Sequence, residues 1–215
     1  MTRRVGALAL VSFLLGAVAL VTMPGVASAA TICNANPLSN TTINDDVVIP
    51  PFPAQCTMIN VTVNGNVIIQ PTGRFTAVNS TINGNITGTN INALTLINTT
   101  VTRSVSVIGT GSTGAFIGIC NSTIRGNLLI QNANSPEGFI SIGPACDPAG
   151  GNTIGGTVFL TNNRTFADAP IPGLRVANNH IGGSLVCTGN TPPASSSNNT
   201  VAGVKSGECA VSPGG

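Results

Sequence analysis

Hydrophobic and polar residues recur along this chain in a motif of about twenty residues. The motif consists of Asn-x-Thr, an aliphatic residue, a glycine two positions later and a second aliphatic residue four positions later. Eight copies occur, and their first aliphatic residues are separated by 20, 19, 19, 23, 30, 27 and 20 residues. These residues are Ile43, Val63, Ile82, Val101, Ile124, Ile154, Ile181 and Val201. A repeat of this length indicates one structural unit that is stacked along the chain.

Each unit alternates apolar and polar residues with a period of two, which is typical of strands and not of helices. A second apolar pair lies seven and five residues before the first aliphatic residue. The clearest pairs are Cys56/Met58, Phe75/Ala77, Leu94/Leu96, Ile117/Ile119 and Leu174/Val176. Units too short to fold alone bury such residues by coiling on one another. The sequence therefore predicts an all-β fold, a single right-handed parallel β-helix of about eight coils, with a rise of about 4.8 Å per coil.

Other repeat folds fit the pattern less well. A propeller blade needs about twice this repeat length, and a leucine-rich repeat has leucines at fixed short spacings that are absent here. A left-handed β-helix keeps a strict six-residue period, which the longer units break. Right-handed coils accept insertions in their loops, and three are expected, at 109–114, 132–151 and 161–173, with a short further loop at 191–197.

Two polar columns follow from the repeat. Asparagine stands three residues before the first aliphatic residue in seven units, and we expect these side chains to form a buried amide ladder at a corner of the coil. They are Asn40, Asn60, Asn79, Asn98, Asn121, Asn178 and Asn198. Threonine stands one residue before it, pointing outward, and His180 replaces it once. This candidate binding face comprises Thr42, Thr62, Thr81, Thr100, Thr123, Thr153 and Thr200.

The first 29 residues have the features of a signal peptide. Arg3 and Arg4 precede an apolar run, and the small residues Ala27, Ser28 and Ala29 form a cleavage site. We therefore expect residues 1–29 to be removed, residues 30–215 to form the β-helix domain, and the mature chain to be secreted without a membrane span.

Charge and cysteine content narrow the possible partners. Removal of Arg3 and Arg4 from eight basic residues leaves six against six acidic ones, so no basic stripe favours nucleic acid. Six cysteines in an exported chain predict disulfides, although fifteen pairings are possible. One coil of rise matches the Cα separation of a disulfide, which favours Cys33 with Cys56, Cys120 with Cys146 and Cys187 with Cys209. Cysteine spacing and a single histidine disfavour a metal site, and no cofactor is expected.

The runs "NNHIGGSLVCTGNTPPASSSNNTVAGVKSGECA", "GNTIGGTVFL" and "VNGNVII" resemble secreted β-helix-repeat proteins of actinobacteria, most of them uncharacterised. The resemblance covers essentially the whole mature chain. It implies an exported right-handed β-helix and carries no catalytic motif.

Few residues are candidates for catalysis. Asp45 and Asp46 form the one adjacent acidic pair, and we expect them to be an exposed, charged cap that discourages stacking on the first coil. His180 is expected to be an exposed substitution in the threonine column. Arg103 and Arg125 lie on neighbouring coils, where they are either solvated side chains or a small anion or glycan contact.

The sequence favours a secreted, non-enzymatic β-helix that acts as a surface or extracellular structural protein, with self-association as a further expectation. The alternative is a binding module whose outward Thr/Asn face contacts ice or a cell-surface glycan; absent Trp and Tyr weaken the glycan case. A polysaccharide-active enzyme ranks third, since β-helices often carry such sites.

Overall fold

The structure, a computed structural model, describes residues 30–33, 37–143, 150–166 and 173–210. These residues contain 25 short strands, numbered in chain order, and one 3-10 helix at Glu208–Ala210. All strand pairs are parallel, and the strands form three sheets. Within the described residues no helix is long and apolar enough to cross a membrane.

The three sheets run the length of the molecule. Sheet A contains β1 (Thr31–Ile32), β4 (Val47–Ile49), β7 (Val67–Ile69), β10 (Ile86–Ile91), β13 (Val105–Thr110), β16 (Leu128–Gln131), β19 (Val158–Thr161), β22 (Leu185–Thr188) and β25 (Lys205–Gly207). Sheet B contains β2 (Leu38–Ser39), β5 (Gln55–Ile59), β8 (Arg74–Val78), β11 (Ala93–Ile97), β14 (Phe116–Cys120), β17 (Phe139–Ile142), β20 (Leu174–Ala177) and β23 (Ser195–Ser197). Sheet C contains β3 (Thr42–Ile43), β6 (Thr62–Val63), β9 (Thr81–Ile82), β12 (Thr100–Val101), β15 (Thr123–Ile124), β18 (Thr153–Ile154), β21 (His180–Ile181) and β24 (Thr200–Val201).

Each coil passes through sheet B, then sheet C, then sheet A. We call the turn from B to C the first corner, the turn from C to A the second corner, and the return from A to B the third corner. Eight coils result, and β1 adds a ninth strand to sheet A ahead of the first coil. This is the predicted architecture, an all-β, single right-handed parallel β-helix of about eight coils.

The core consists of the inward aliphatic residues that the period-two pattern predicts. The second aliphatic residue of the motif is fully buried in the first seven coils, and so are the paired apolar residues of sheet B. Ile43 and Val201, in the first and last coils, are only partly buried, since each has a neighbouring coil on one side alone. Stacking therefore supplies the burial that no single coil provides.

The predicted buried asparagine ladder is wrong in its position. The asparagines three residues before the first aliphatic residue adopt the left-handed conformation, with φ between 49° and 60°, and most are exposed. Asparagine tolerates this conformation better than other residues with a side chain, which explains its recurrence. The polar residue that points inward is the next one along the chain. The left-handed conformation of the asparagine shifts the inward-facing position by one residue. This buried set comprises Ser80, Thr99, Ser122, Asn152, Asn179 and Asn199.

The first-corner ladder joins five of these residues, from Thr99 to Asn199. The backbone N–H of Thr99 donates to Oγ of Ser122 at 3.1 Å, and that of Ser122 donates to Oδ1 of Asn152 at 2.9 Å. The backbone N–H and side-chain Nδ2 of Asn152 both donate to Oδ1 of Asn179, at 3.0 and 2.9 Å. The same two groups of Asn179 donate to Oδ1 of Asn199, at 3.0 and 2.9 Å. Nδ2 of Asn179 also donates to the carbonyl oxygens of Ile142 and Ala177. Each side-chain acceptor of this ladder thus lies on the later coil.

The second-corner ladder runs through all eight coils, and the sequence analysis did not identify it. Backbone N–H groups donate to a short oxygen-bearing side chain of the preceding coil, starting with Asn66 to Asp46 at 2.7 Å and ending with Val204 to Ser184 at 3.1 Å. The acceptors are Asp46, Asn66, Asn85, Ser104, Asn127, Thr157 and Ser184. Here each acceptor lies on the earlier coil, so this ladder runs opposite to the first.

The third-corner ladder closes the C-terminal end. Asn163 donates through its backbone N–H and Nδ2 to Oδ1 of Asn190, both at 3.0 Å. Asn190 in turn donates to Oε1 and Oε2 of Glu208, at 2.9 and 2.6 Å. A carboxylate accepts both bonds and donates none, so it is a suitable last member of the ladder.

The expected insertion loops are partly wrong. The segment 132–151 contains β17, and the segment 191–197 contains β23. The sequence pattern missed β17 because the connection from β17 to β18 is longer than in most other coils. Its apolar pair therefore lies farther from the first aliphatic residue of the motif than the expected seven and five residues. Of residues 109–114, the first two belong to β13 and the rest lie at the third corner. In the segment 161–173, Thr161 ends β19, and residues 167–172 lie outside the described residues.

Two of the three predicted disulfides are confirmed. Cys33 bonds Cys56 with a Cα separation of 5.6 Å, and Cys187 bonds Cys209 with 5.4 Å. Cys120 is disulfide-bonded, but its predicted partner Cys146 lies outside the described residues, so that pairing stays a prediction. The predicted signal peptide, residues 1–29, also lies outside them.

Candidate functional site

The predicted threonine column lies on the outer face of sheet C. Its seven threonines pair in register from coil to coil, with His180 in the seventh coil. The side chains are exposed or half-buried, and their hydroxyl groups form no hydrogen bond within the described part of the chain. The inward hydroxyls of Ser80 and Ser122, in contrast, donate to backbone carbonyls. The outward hydroxyls therefore remain available to water or a ligand.

A shorter polar column borders the threonines in the first four coils. Nδ2 of Asn64 donates to Oδ1 of Asn44 at 2.8 Å, and Nδ2 of Asn83 donates to Oδ1 of Asn64 at 2.9 Å. The Thr102 hydroxyl continues the column by donating to the carbonyl oxygen of Asn83 at 2.7 Å. The later coils place Arg125, Gly155, Gly182 and Ala202 at this position. The ordered two-column surface is thus confined to the N-terminal half.

The acidic pair at the first coil is not the exposed cap that we expected. Asp45 and Asp46 are both half-buried. Oδ1 of Asp46 accepts the backbone N–H of Asn66 at 2.7 Å and its Nδ2 at 3.1 Å. Asp46 faces the second coil because it is the first acceptor of the second-corner ladder, so its role is internal.

Two other acidic side chains also have structural partners. Glu208 accepts three hydrogen bonds at the third corner, from the backbone and side chain of Asn190 and from the backbone of Ala194. Glu137 accepts one from the Thr113 hydroxyl at 3.0 Å. Neither acid lies on the coil of Asp46, and the three do not form a cluster.

The remaining candidates stay on the surface. His180 is exposed, as expected, and Arg103 and Arg125 are exposed at the second corner on neighbouring coils. Among the described residues no group of three or more His, Cys, Asp or Glu side chains is placed to hold a metal ion.

The outer face of sheet B carries aromatic contacts next to the third corner. The rings of Phe116 and Phe139 meet edge to face with centroids 4.4 Å apart, and the Arg74 guanidinium lies 5.3 Å from the centroid of Phe52. The Ser141 hydroxyl is buried on this face and has no hydrogen-bond partner among the described residues. The Phe116–Phe139 contact joins two neighbouring strands, and the Arg74–Phe52 contact joins a third-corner segment to the sheet.

The outer face of sheet A exposes several apolar side chains, which the sequence analysis did not recognise. Ile32, Ile68 and Ile108 are exposed there, at 62%, 39% and 42%. The signal was present in the sequence as apolar triplets, such as 67–69 and 158–160, whose middle residue must point outward when its neighbours point inward.

Comparison with protein-family models, with curated proteins and with solved structures finds no match to this chain.

Proposed function

We propose that the chain is a secreted, non-catalytic β-helix that serves as a structural component outside the cell or on its surface. The observation that carries this proposal is how the acidic side chains are used. Asp46 begins one ladder and Glu208 ends another, while Glu137 accepts a bond from a surface threonine. These three carboxylates of the described part of the chain lie on separate coils and do not form the facing pair that glycoside hydrolysis needs.

Secretion is supported by the disulfides, which form and persist in oxidising compartments. The charged and apolar residues ahead of Ala29 support it further, as does the resemblance to secreted actinobacterial β-helix proteins. A stack closed by a disulfide near each end suits a protein that must persist outside the cell.

The structural role is tested with the double variant Asp45→Asn/Asp46→Asn. Asparagine already serves as the acceptor in the next two coils, so this variant should keep the fold and every function of the parent chain. The parent and the variant are screened on pectin, alginate and other acidic glycans, and the protein is located on intact producing cells. Glycan turnover that disappears in the variant would overturn the proposal and favour the enzyme.

A second candidate function is binding of ice or a glycan by the threonine column of sheet C. The observation in its favour is the unbonded row of outward hydroxyls beside the ordered column of Asn44, Asn64 and Asn83. Thr81→Val with Thr100→Val removes two hydroxyls and keeps the shape, and Thr95→Val on sheet B is the matched control. Ice shaping or glycan retention lost only in the sheet C variant would establish this function.

A further inference from the structure

The outer face of sheet A has a regular column of side chains. One outward residue from each strand pairs in register with the next along all nine strands. This sheet A outer column consists of Ile32, Val48, Ile68, Thr87, Ser106, Leu129, Phe159, Val186 and Ser206. Its apolar residues fall into two groups of three, separated by the small polar residues Thr87 and Ser106.

A second outward column beside it is also uncharged. It comprises Gln70, Thr89, Ile108, Gln131, Thr161 and Thr188, the last five paired in register. A large apolar patch on a surface indicates an interaction site. Neither outer column carries a charged residue.

The apolar and polar character of the outer column has two-fold symmetry over its first eight residues, Ile32 to Val186, and Ser206 lies beyond the symmetric part. The centre lies between Thr87 and Ser106, and from it the column continues with Ile68, Val48 and Ile32 in one direction and with Leu129, Phe159 and Val186 in the other. We propose that this face is an isologous interface with a second copy of the chain, whose stack runs antiparallel. The two-fold axis then lies between the two sheets, parallel to the strands, at that centre.

This arrangement matches size and chemistry across the interface. It places Phe159 against Val48 of the second copy, Leu129 against Ile68, and Val186 against Ile32. In the other column it places Gln70 against Gln131, whose amides can exchange hydrogen bonds. A repeat of the same patch on both partners is the defining property of a closed two-fold dimer.

The area of the face suits a dimer. Nine strands at about 4.8 Å spacing give a length of about 38 Å, and five residues across the sheet give a width of about 15 Å. A face-to-face pair then removes roughly 600 Å² from each copy, about 1,200 Å² in total, which is the lower limit for a specific interface. Packed sheets lie about 10 Å apart, a distance that these side chains fill.

The test measures the mass of the mature chain by sedimentation over a range of concentrations up to about 100 µM, because buried area alone does not set the affinity. We expect a reversible dimer. Phe159→Lys and Val48→Glu should each raise the dissociation constant at least tenfold, because each places a charge in the apolar interface. Thr95→Lys on the outer face of sheet B is the matched control and should leave the dissociation constant unchanged. Circular dichroism checks that every variant remains folded.

Mixing the two charged variants tests the antiparallel arrangement. Positions 159 and 48 of the two copies face each other across the proposed interface. A mixture of Phe159→Lys and Val48→Glu should therefore form a heterodimer at concentrations at which neither variant alone forms a homodimer. A parent chain that stays monomeric, a dimer that Phe159→Lys does not weaken, or a mixture that stays monomeric would each overturn the proposal. The proposed dimer rests on the proposed structural function, and its partner is a second copy of the chain. A monomer would overturn the dimer and leave the structural role intact, whereas a dimer that degrades a glycan would overturn only the structural role.

Discussion

At the residue scale, neighbouring asparagines of this chain have opposite environments. Asn178 adopts φ 60° and is exposed at the first corner, while Asn179 is buried and joins three coils. The first is selected for its backbone conformation and the second for its amide group. Substitutions at the two kinds of site should therefore destabilise the protein for different reasons.

Asn179→Ala should lower the free energy of unfolding by about 3 kcal/mol, because two buried donors of Asn152 lose their acceptor. Thr81→Ala, on the outer face of sheet C, should cost less than about 0.5 kcal/mol. Urea unfolding of both variants measures the difference. Equal losses would contradict the assignment of the buried ladder.

Asn79→Ala should cost about 1 kcal/mol, since alanine is strained at the φ of 50° found there. Asn79→Gly should cost less than about 0.5 kcal/mol, because glycine accepts this conformation. Both variants lose the exposed hydrogen bond from Asn98, so thermal unfolding of the pair isolates the backbone effect. The interpretation fails if glycine proves as damaging as alanine.

At the element scale, the end of a ladder needs a different residue from its middle. Every interior asparagine of the third-corner ladder both donates and accepts, whereas Glu208 only accepts. The 3-10 helix Glu208–Ala210 places this carboxylate against the last full coil, and Cys209 beside it bonds Cys187.

Glu208→Gln should destabilise the chain by about 1 to 2 kcal/mol, because its amide places a donor against the N–H groups of Asn190. Amide hydrogen exchange should accelerate first in β22 and β25. Glu137→Gln is the control, since Glu137 is exposed, and its cost should stay below about 0.5 kcal/mol. Unchanged exchange in the last coils of Glu208→Gln would show that the cap is not needed.

The sequence predicted the strands, with the exception of β17 and β23, but not the corners. Period-two alternation identified inward residues such as Leu94 and Leu96 directly, because a strand has only two faces. At a corner, Asn79 and Ser80 are both small and polar, and only the left-handed conformation of the first decides that the second points inward.

Of the two candidate faces, the sequence predicted one and missed the other. The threonine column was found because the same residue type recurs, whereas the outer column of sheet A varies between Ile68, Thr87 and Phe159. Its apolar character becomes visible only when residues far apart in sequence are placed in register. The same limit concealed the second-corner ladder, in which Asp, Asn, Ser and Thr are interchangeable.

At the scale of the whole molecule, the stack resembles a one-dimensional array in which each coil contacts only its neighbours. The two disulfides between described cysteines lie near its opposite ends, one joining Cys33 to the second coil and the other joining the seventh coil to the terminal 3-10 helix. Each should therefore stabilise its own end.

Replacement of Cys187 and Cys209 by alanine should cost about 3 kcal/mol, as expected for a loop of 22 residues. Hydrogen exchange should accelerate in the seventh and eighth coils and stay slow in the central strands. The same change at Cys33 and Cys56 should affect the first two coils. Uniform acceleration through the stack in either variant would contradict local stabilisation.

The second-corner ladder has a consequence for how such a chain can change over evolutionary time. Coils one to four are separated by 20, 19 and 19 residues and present equivalent second-corner donors and acceptors to their neighbours. Duplication of a 19-residue block from this region would reproduce the second-corner ladder bond at the one new junction and lengthen the rod by about 4.8 Å. Gene duplication can therefore change the number of coils, whereas the residues that close the two ends of the stack must be conserved.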